Sequence, residues 1–538
     1  MPPNQVMADI SAGPALSLIS FAQSDSAVDV EPDAAGFVRE DDRESGILLH
    51  PTSFPGDYGI GALGPRARDV VDVFGENGVR VLSMLPLTPT DGVHSPYRGE
   101  SAFAGNKLLI SPAQMVRDGM IARHDLPSVI PNMGYADFAA AATAREQMFD
   151  ALMRRTGGFE GDSDYERFVR GNEGWLDDYA LFRAIKHSFN GGPWTEWPRE
   201  FRDRDPKALD TFSAQVKPLI RREKAIQYVF DRQFRELKKY AAQRGVIFLG
   251  DVPLYLDLDS ADAWASPQLF QLDEAKRPVR VAGVPDQVWG NPLYNWPTHE
   301  EDGFSWWRSR FEHGIGYFNG FLRVDHISGL ARRWSVEPGK AAWEGRWEDG
   351  PADAFFHSVM TAFPKTFHPV GEDLGDVPPK ILEIMHAHRI PGMKPFMFAN
   401  PNYWDDGYLP HHYPKNSVAY TGNHDTETLA GYIKRGYQQG WGKAWEHNMR
   451  HYLGGTFLRW GDVGRQIVAS VLGSASCLAV IPMQDVLQLG NEARMNRPGT
   501  TDWRNWAWRM TPQQFEQFAK STWFFDAVRA AGRRYRRP

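Results

Sequence analysis

The chain predicts an α/β fold, a (β/α)8 TIM barrel with large helical and loop insertions between its strands. Three observations lead there. Eight short apolar runs recur along the chain, and most end in a polar motif. Their unbroken apolar character suits strands buried on both faces, as in a parallel barrel. Helical patterns lie between several of them, and strand–helix alternation with eight strands is the signature of that fold.

In order, the runs are Gly46–Pro51, Val79–Leu87, Val246–Leu256, Phe321–Ile327, Phe367–Leu374, Gly392–Phe398, Ser417–Asp425 and Cys477–Leu487. Pro65–Asn77 reads as the helix before the second strand and Pro378–His388 as the helix before the sixth. Two gaps are too long for simple crossovers. Between the second and third runs, Tyr135–Arg244 is mostly helix-like, which predicts an inserted helical subdomain over about 112–244. Between the third and fourth runs, about 257–320 carries Trp264, Trp289, Trp296, Trp306 and Trp307. Insertions at the C-terminal ends of barrel strands build active-site walls. Residues 1–43 are rich in Ala, Ser, Asp and Pro and read as an unstructured leader before a catalytic barrel over 44–530.

Composition narrows the function. The 538 residues are 42% hydrophobic and 24% charged, with a formal net charge of −7. That balance argues against a nucleic-acid partner. The basic tail Arg533–Arg537 reads as a solvated C-terminus. No apolar run is long enough to span a membrane. One cysteine, Cys477, in an apolar strand, reads as buried filler and points to a reducing, cytoplasmic setting.

Three acidic motifs then stand out, each at a strand end: Arg323-Val-Asp325-His326, Gly371-Glu372-Asp373-Leu374-Gly375 and Gly422-Asn423-His424-Asp425. Retaining glycoside chemistry needs a carboxylate to attack the sugar and a carboxylic acid to protonate the leaving oxygen. A further carboxylate can hold the distorted ring. Arg323 and Asp325 share one strand face, so the guanidinium can hold Asp325 ionised. A structural Arg–Asp pair would look the same. Glu372 sits in a turn whose glycines allow close approach of substrate; a helix-capping carboxylate is the competing reading. His326 and His424 can hydrogen-bond sugar hydroxyls. As metal ligands, His326, His424 and Asp425 lack the close helical spacing usual for such sites, so no metal is expected. Asp257-Leu-Asp259-Ser-Ala-Asp262 lacks the Gly and Glu of a calcium loop and reads as a strand-end loop. No phosphate loop, dinucleotide fingerprint or nucleophile elbow is present, so no cofactor is expected.

Taken together, the motifs resemble those of the amylomaltases, the disproportionating 4-α-glucanotransferases of glycoside hydrolase family 77. The likeness runs from about Gly46 to Arg509. It includes Leu49-His-Pro-Thr-Ser-Phe-Pro55, Ser95-Pro-Tyr97, Gly250-Asp-Val-Pro253, Trp289-Gly-Asn-Pro-Leu-Tyr294, the three acidic motifs and Gly490-Asn-Glu-Ala-Arg-Met-Asn496. The resemblance implies Asp325 as nucleophile, Glu372 as acid/base and Asp425 as transition-state stabiliser. It implies that Arg323, His326 and His424 surround the donor sugar and that Tyr97 stacks against it. Asp251 and Asn291 fall in motifs near the cleft. The implied activity is transfer of glucosyl or maltosyl-type units between α-1,4-glucans, with a malto-oligosaccharide substrate.

The chain departs from the family pattern in two places. The segment between the Gly-Val-Pro and Trp-Gly-Asn-Pro motifs shrinks to Gly283-Val-Pro-Asp-Gln-Val-Trp289, where the family has a longer aromatic lid on the acceptor side. Thr88 stands where the family commonly has Gly. The short segment keeps open a second outcome for the same machinery: hydrolysis, or transfer to a different acceptor or linkage.

Overall fold

The structure, a computed structural model, describes residues 43–533 apart from 364, 401–402, 404, 440–441 and 455–459. The expected leader therefore lies outside the described residues, except for Arg43. That side chain already donates to the carbonyls of Leu472, Gly473 and Ser474.

Among the described residues, eight parallel strands close into a barrel. They are Glu44–Leu48, Val81–Ser83, Ile247–Val252, Phe321–Val324, His368–Gly371, Gly392–Pro395, Ser417–Tyr420 and Leu478–Pro482. Each pairs with the next in chain order, and the last pairs with the first, Gly46 opposite Val480. All eight expected runs are strands, but most are shorter than the apolar pattern. The ladder stops early because the C-terminal residues of each run turn outward into loops. Leu85, Leu254 and Leu256 stay buried there beneath the walls of the cleft, so their hydrophobicity extends beyond the strand.

The barrel interior is filled by Val81, Leu249, Phe321, Val370, Met393, Val418 and Val480 among others. Gly46 is required at this seam: a Cβ there would lie 2.9 Å from Val81 Cβ. Cys477 is buried beside it, and burial pushes its thiol up to about 11, as befits inert filler.

The helix Pro65–Asn77 starts on its proline and ends on left-handed Gly78 (φ 71°), burying Ala67, Val70, Val71 and Phe74. Between the second and third strands lie the helices Phe138–Thr156, Ser163–Gly171, Glu173–Ser188, Pro206–Gln215 and Lys217–Ala242. The last of these packs back onto the barrel. Phe234 meets Phe248 of the third strand at 5.8 Å, and Tyr240 donates to Asp72.

The acidic loop after the third strand is spent on fastening these layers. Asp257 takes Arg98 at 2.8 Å, Asp259 pairs with Lys186, and Asp262 accepts the Ala102 amide and the Trp306 indole. Trp264, Trp296 and Trp307 are core residues.

A second sheet was not foreseen. Its four antiparallel strands run in the order Gln287–Pro292, Val281–Val284, Arg332–Val336, Arg346–Asp349. The shortened segment is the tight hairpin at its edge. The basic tail also corrects the sequence expectation at its first residue. Arg533 is fully buried, donating to the carbonyls of Leu472, Glu44, Ser474 and Ser476. Residues 534–538 lie outside the described residues.

Candidate active site

The strand ends deliver the acidic residues to one place. Asp325 follows the fourth strand and its amide donates to Val252 O of the third. Glu372 follows the fifth strand and its amide donates to Val324 O of the fourth. The ladder therefore fixes both carboxyls on neighbouring strands.

Arg323, itself buried, gathers them. Its Nη1 donates to both oxygens of Asp251, at 2.7 and 2.6 Å, and reaches the Tyr97 hydroxyl oxygen at 3.3 Å. Its Nη2 donates to Asp325 at 3.0 Å and lies 2.9 Å from Glu372. Because both carboxyls approach one nitrogen, the contacting oxygens are at most about 6 Å apart. Inverting enzymes hold their carboxyls ~6.5–9.5 Å apart, so this pair is closer than an inverting mechanism needs.

His326 adds a backbone contribution. It is held in the left-handed region (φ 41°), a strained position for a non-glycine residue. That turn aims its amide at Glu372 Oε2, 2.8 Å away.

The titration of this cluster is collective. Burial pushes the Asp325 carboxyl well up; Arg323 opposes this, while Glu372 and Asp251 add to it. Burial would raise Glu372 too, but Arg323, the His326 amide and a hydrogen bond from Asp325 hold it below the usual carboxylate range. The two carboxyls interact closely, so their protons come off as those of a pair and not of either residue alone. Arg323 favours the ionised form of Asp325, as their shared strand face suggests, but burial outweighs it. The reason is geometric: Nη1 is committed to Asp251, and Nη2 is shared with Glu372.

Across the pocket, the Asp425 side chain is 41% exposed and faces the cleft. Burial in the cleft opposes its ionisation, but His424, Asn496 and Arg323 bring it down to about 2. Its oxygens lie 3.4 Å from His424 Nε2 and 2.7 Å from the donating Asn496 amide. Tyr97 joins the two sides. Its hydroxyl donates to Asp251 at 2.7 Å, and its ring stacks on His424 at 5.0 Å. Burial beside Asp251 raises the phenol well above its ordinary value, so it remains a donor. Burial also lowers the His326 imidazole, favouring its neutral form. Asn291 stands apart from this network; its amide donates to Leu256 O on the cleft wall.

A family model described as 4-alpha-glucanotransferase, glycoside hydrolase family 77, matches residues 49–514. The chain belongs to that family. It is 37% identical over 486 residues to the 4-alpha-glucanotransferase of Thermus thermophilus, covering 87% of this chain and 95% of that one. It is 36% identical over 480 residues to that of Aquifex aeolicus, with the same coverages. The amylomaltase from Streptococcus agalactiae in complex with acarbose has a TM-score of 0.85 at 29% identity, covering 91% of this chain and 99% of that one.

Several parts of this family 77 site went unassigned from sequence. Asn496 Nδ2 donates to the Asp425 carboxylate at 2.7 Å, and Arg494 Nη2 donates to the Asp425 backbone carbonyl at 2.6 Å. Trp506 lies 5.9 Å from both Tyr97 and His424, and Trp289 meets His326 edge-on at 5.0 Å. The motif Gly490–Asn496 stood out as a motif, but spacing alone says nothing of what its amides touch.

Proposed function

We propose that this family 77 enzyme disproportionates malto-oligosaccharides by double displacement, with Asp325 as nucleophile, Glu372 as acid/base and Asp425 as the stabiliser of the distorted donor sugar. The observation that carries this reading is the sharing of Arg323 Nη2 by Asp325 and Glu372. In the reactive state, with the glycosidic oxygen between them, Glu372 carries the proton and Asp325 is ionised. Asp325 attacks the anomeric carbon while Glu372 protonates the leaving oxygen. The glycosyl–Asp325 ester waits. Glu372, now a carboxylate, takes the proton from the 4-hydroxyl of an incoming glucan, and the α-1,4 bond reforms.

Arg323, Tyr97 and Asp251 hold the dyad in place. His326 and His424 reach the donor sugar's hydroxyls, and Asn291 belongs to the wall. The segments about 112–244 and about 257–320 act as cleft walls on a barrel spanning 44–530. A cytoplasmic setting suits the single buried thiol.

Purified enzyme incubated with maltotriose should yield glucose together with a ladder of longer malto-oligosaccharides by chromatography. Asp325→Asn should lower the rate by at least about 10³-fold; full activity in that variant would remove Asp325 from the nucleophile role. The tight hairpin Val281–Val284/Gln287–Pro292 sustains the second reading, hydrolysis or a different linkage. Glucose and maltose without a ladder would mark hydrolysis, and NMR of the products would reveal any bond other than α-1,4.

A further inference from the structure

Two arginines away from the catalytic carboxyls are buried with little to balance their charge. Arg145 lies on the helix Phe138–Thr156, and Arg509 directly follows Trp508; both are fully buried. Among the described residues, Arg145 has no hydrogen-bond partner at any of its three guanidinium nitrogens, and Arg509 has none at Nη1. The rest of the Arg509 fork is committed. Its Nε donates to Phe54 O at 3.3 Å and its Nη2 to Gly56 O at 2.6 Å. By contrast, the buried Arg323 and Arg533 each donate to several oxygens.

One short turn touches both arginines. A Cβ on Gly56 would lie 3.3 Å from Arg509 Nη2. A Cβ on Gly59 (φ 79°) would lie 3.1 Å from Ala141 Cβ, one helical turn before Arg145. Burial lowers Arg145 to about 9, with the Arg509 charge adding to the fall and Tyr58 opposing it. Burial also brings Arg509 down to about 10, against the pull of Asp57. Both values stay above neutral pH, so both groups keep their charge. Neither neighbour cancels it. Asp57 is exposed, and its charge is screened by solvent. Burial, with Asp57, raises the Tyr58 phenol, which stays neutral.

An isolated charge in the interior is costly, so buried cations pair with an anion or another strong acceptor. Guanidinium forks suit anions because their N–H groups point in fixed directions. Enclosure sets the size. With both side chains shut off from water, a single-atom anion suits the pair better than a polyatomic one.

We infer that Arg145 and Arg509 form a buried site for a small monatomic anion, for which chloride is the probe, held by the four unpartnered guanidinium nitrogens. The site goes beyond the transfer reaction and does not rest on it. The ion joins three segments far apart in sequence: the turn Gly56–Gly59, the helix Phe138–Thr156 and the stretch around Arg509. Trp506, three residues before Arg509, lies 5.9 Å from both Tyr97 and His424, so the brace stands directly behind the cleft wall.

The test uses the full chain. Thermal unfolding is compared in sodium chloride and in sodium gluconate at equal ionic strength, about 0.2 M, gluconate being too large for the site. The unaltered enzyme should melt about 3 °C higher in chloride. Strongly hydrated anions stabilise proteins by exclusion, so without a site gluconate would be the more stabilising salt. Arg145→Leu removes the fork and should abolish the difference, while Arg145→Lys should keep part of it. In crystals grown with bromide, anomalous scattering should place one ion between the two guanidinium groups. Equal melting in the two salts would overturn the site. So would a chloride effect undiminished by Arg145→Leu, a response to phosphate without one to chloride, or bromide crystals with no ion at the pair. If Arg145→Leu does not fold, the salt comparison and the bromide crystals of the unaltered enzyme decide alone.

Discussion

One guanidinium, Arg323, faces Asp251, Asp325 and Glu372 and the Tyr97 hydroxyl. Burial pushes the Asp325 carboxyl well up, while Arg323 and the His326 amide hold Glu372 below the usual carboxylate range. Asp485 shows the same physics without catalysis. It is buried after the eighth strand and accepts the Thr421 hydroxyl at 2.5 Å and the Leu429 amide at 2.7 Å. Those two groups bracket the segment that carries His424 and Asp425. Burial pushes Asp485 up to about 6. Its folded value lies above that of an unfolded Asp, so it contributes stability that is complete below about pH 4 and lost as pH rises through about 6. Asp485→Asn mimics the protonated form. The variant should be more stable at pH 8 by roughly 2–3 kcal/mol and nearly unchanged at pH 4. Urea unfolding at the two pH values decides it; a loss of stability at pH 8 would mean that the ionised form is the one the fold requires. Asp325, Glu372 and Asp425 were legible because each ends an apolar run. The role of Asp251 was less so, because its partner arrives 72 positions later in the chain.

At the scale of elements, barrel strands announce themselves because both faces are buried and the apolar run is unbroken. The side sheet does not. Arg332–Val336 and Arg346–Asp349 mix Arg, Trp, Ser, Glu and Asp, since one face meets solvent and the strands are short. Loop-to-loop clamps are equally hidden. The segment Asn491–Asn496 grips the end of the seventh strand by side chain and backbone together: Asn496 N donates to His424 O, and Asn496 Nδ2 donates to Asp425 Oδ1 at 2.7 Å. The side-chain bond to an ionised carboxylate is worth about 1.5–3 kcal/mol. Asn496→Ala should therefore lower kcat by roughly 10–100-fold while Asp425 keeps its place in sequence and strand. Asn496→Asp would set two carboxylates face to face and cost more. If Asn496→Ala left kcat untouched, Asp425 would be positioned by His424 and Arg494 alone.

The whole molecule is a closed ring of strands, and a ring needs a seam. Here the seam joins the first strand, which opens the described chain, to the eighth, which comes more than 400 residues later. Backbone pairing runs from Glu44↔Leu478 to Leu48↔Pro482, and Arg533 holds one end of it. This side chain lies at the foot of the seam, bonded to the carbonyls of Glu44, Leu472, Ser474 and Ser476, while Ser45 Oγ donates to the Arg533 carbonyl. No sequence pattern could show this, because a basic residue near a basic C-terminus looks like solvated surface. The chain spends a buried cation there because five hydrogen-bond donors in one rigid fork can satisfy carbonyls from both strands and the helix end at once. Arg533→Ala would orphan those carbonyls in the interior. It should destabilise the protein by about 3 kcal/mol or more, seen as a lower urea midpoint, while maltotriose turnover at 25 °C persists because the cleft lies at the opposite end of the strands. Arg533→Lys supplies a charge but not the fork, and should recover only part of the loss. Full recovery by lysine would show that the seam needs a cation and not its geometry.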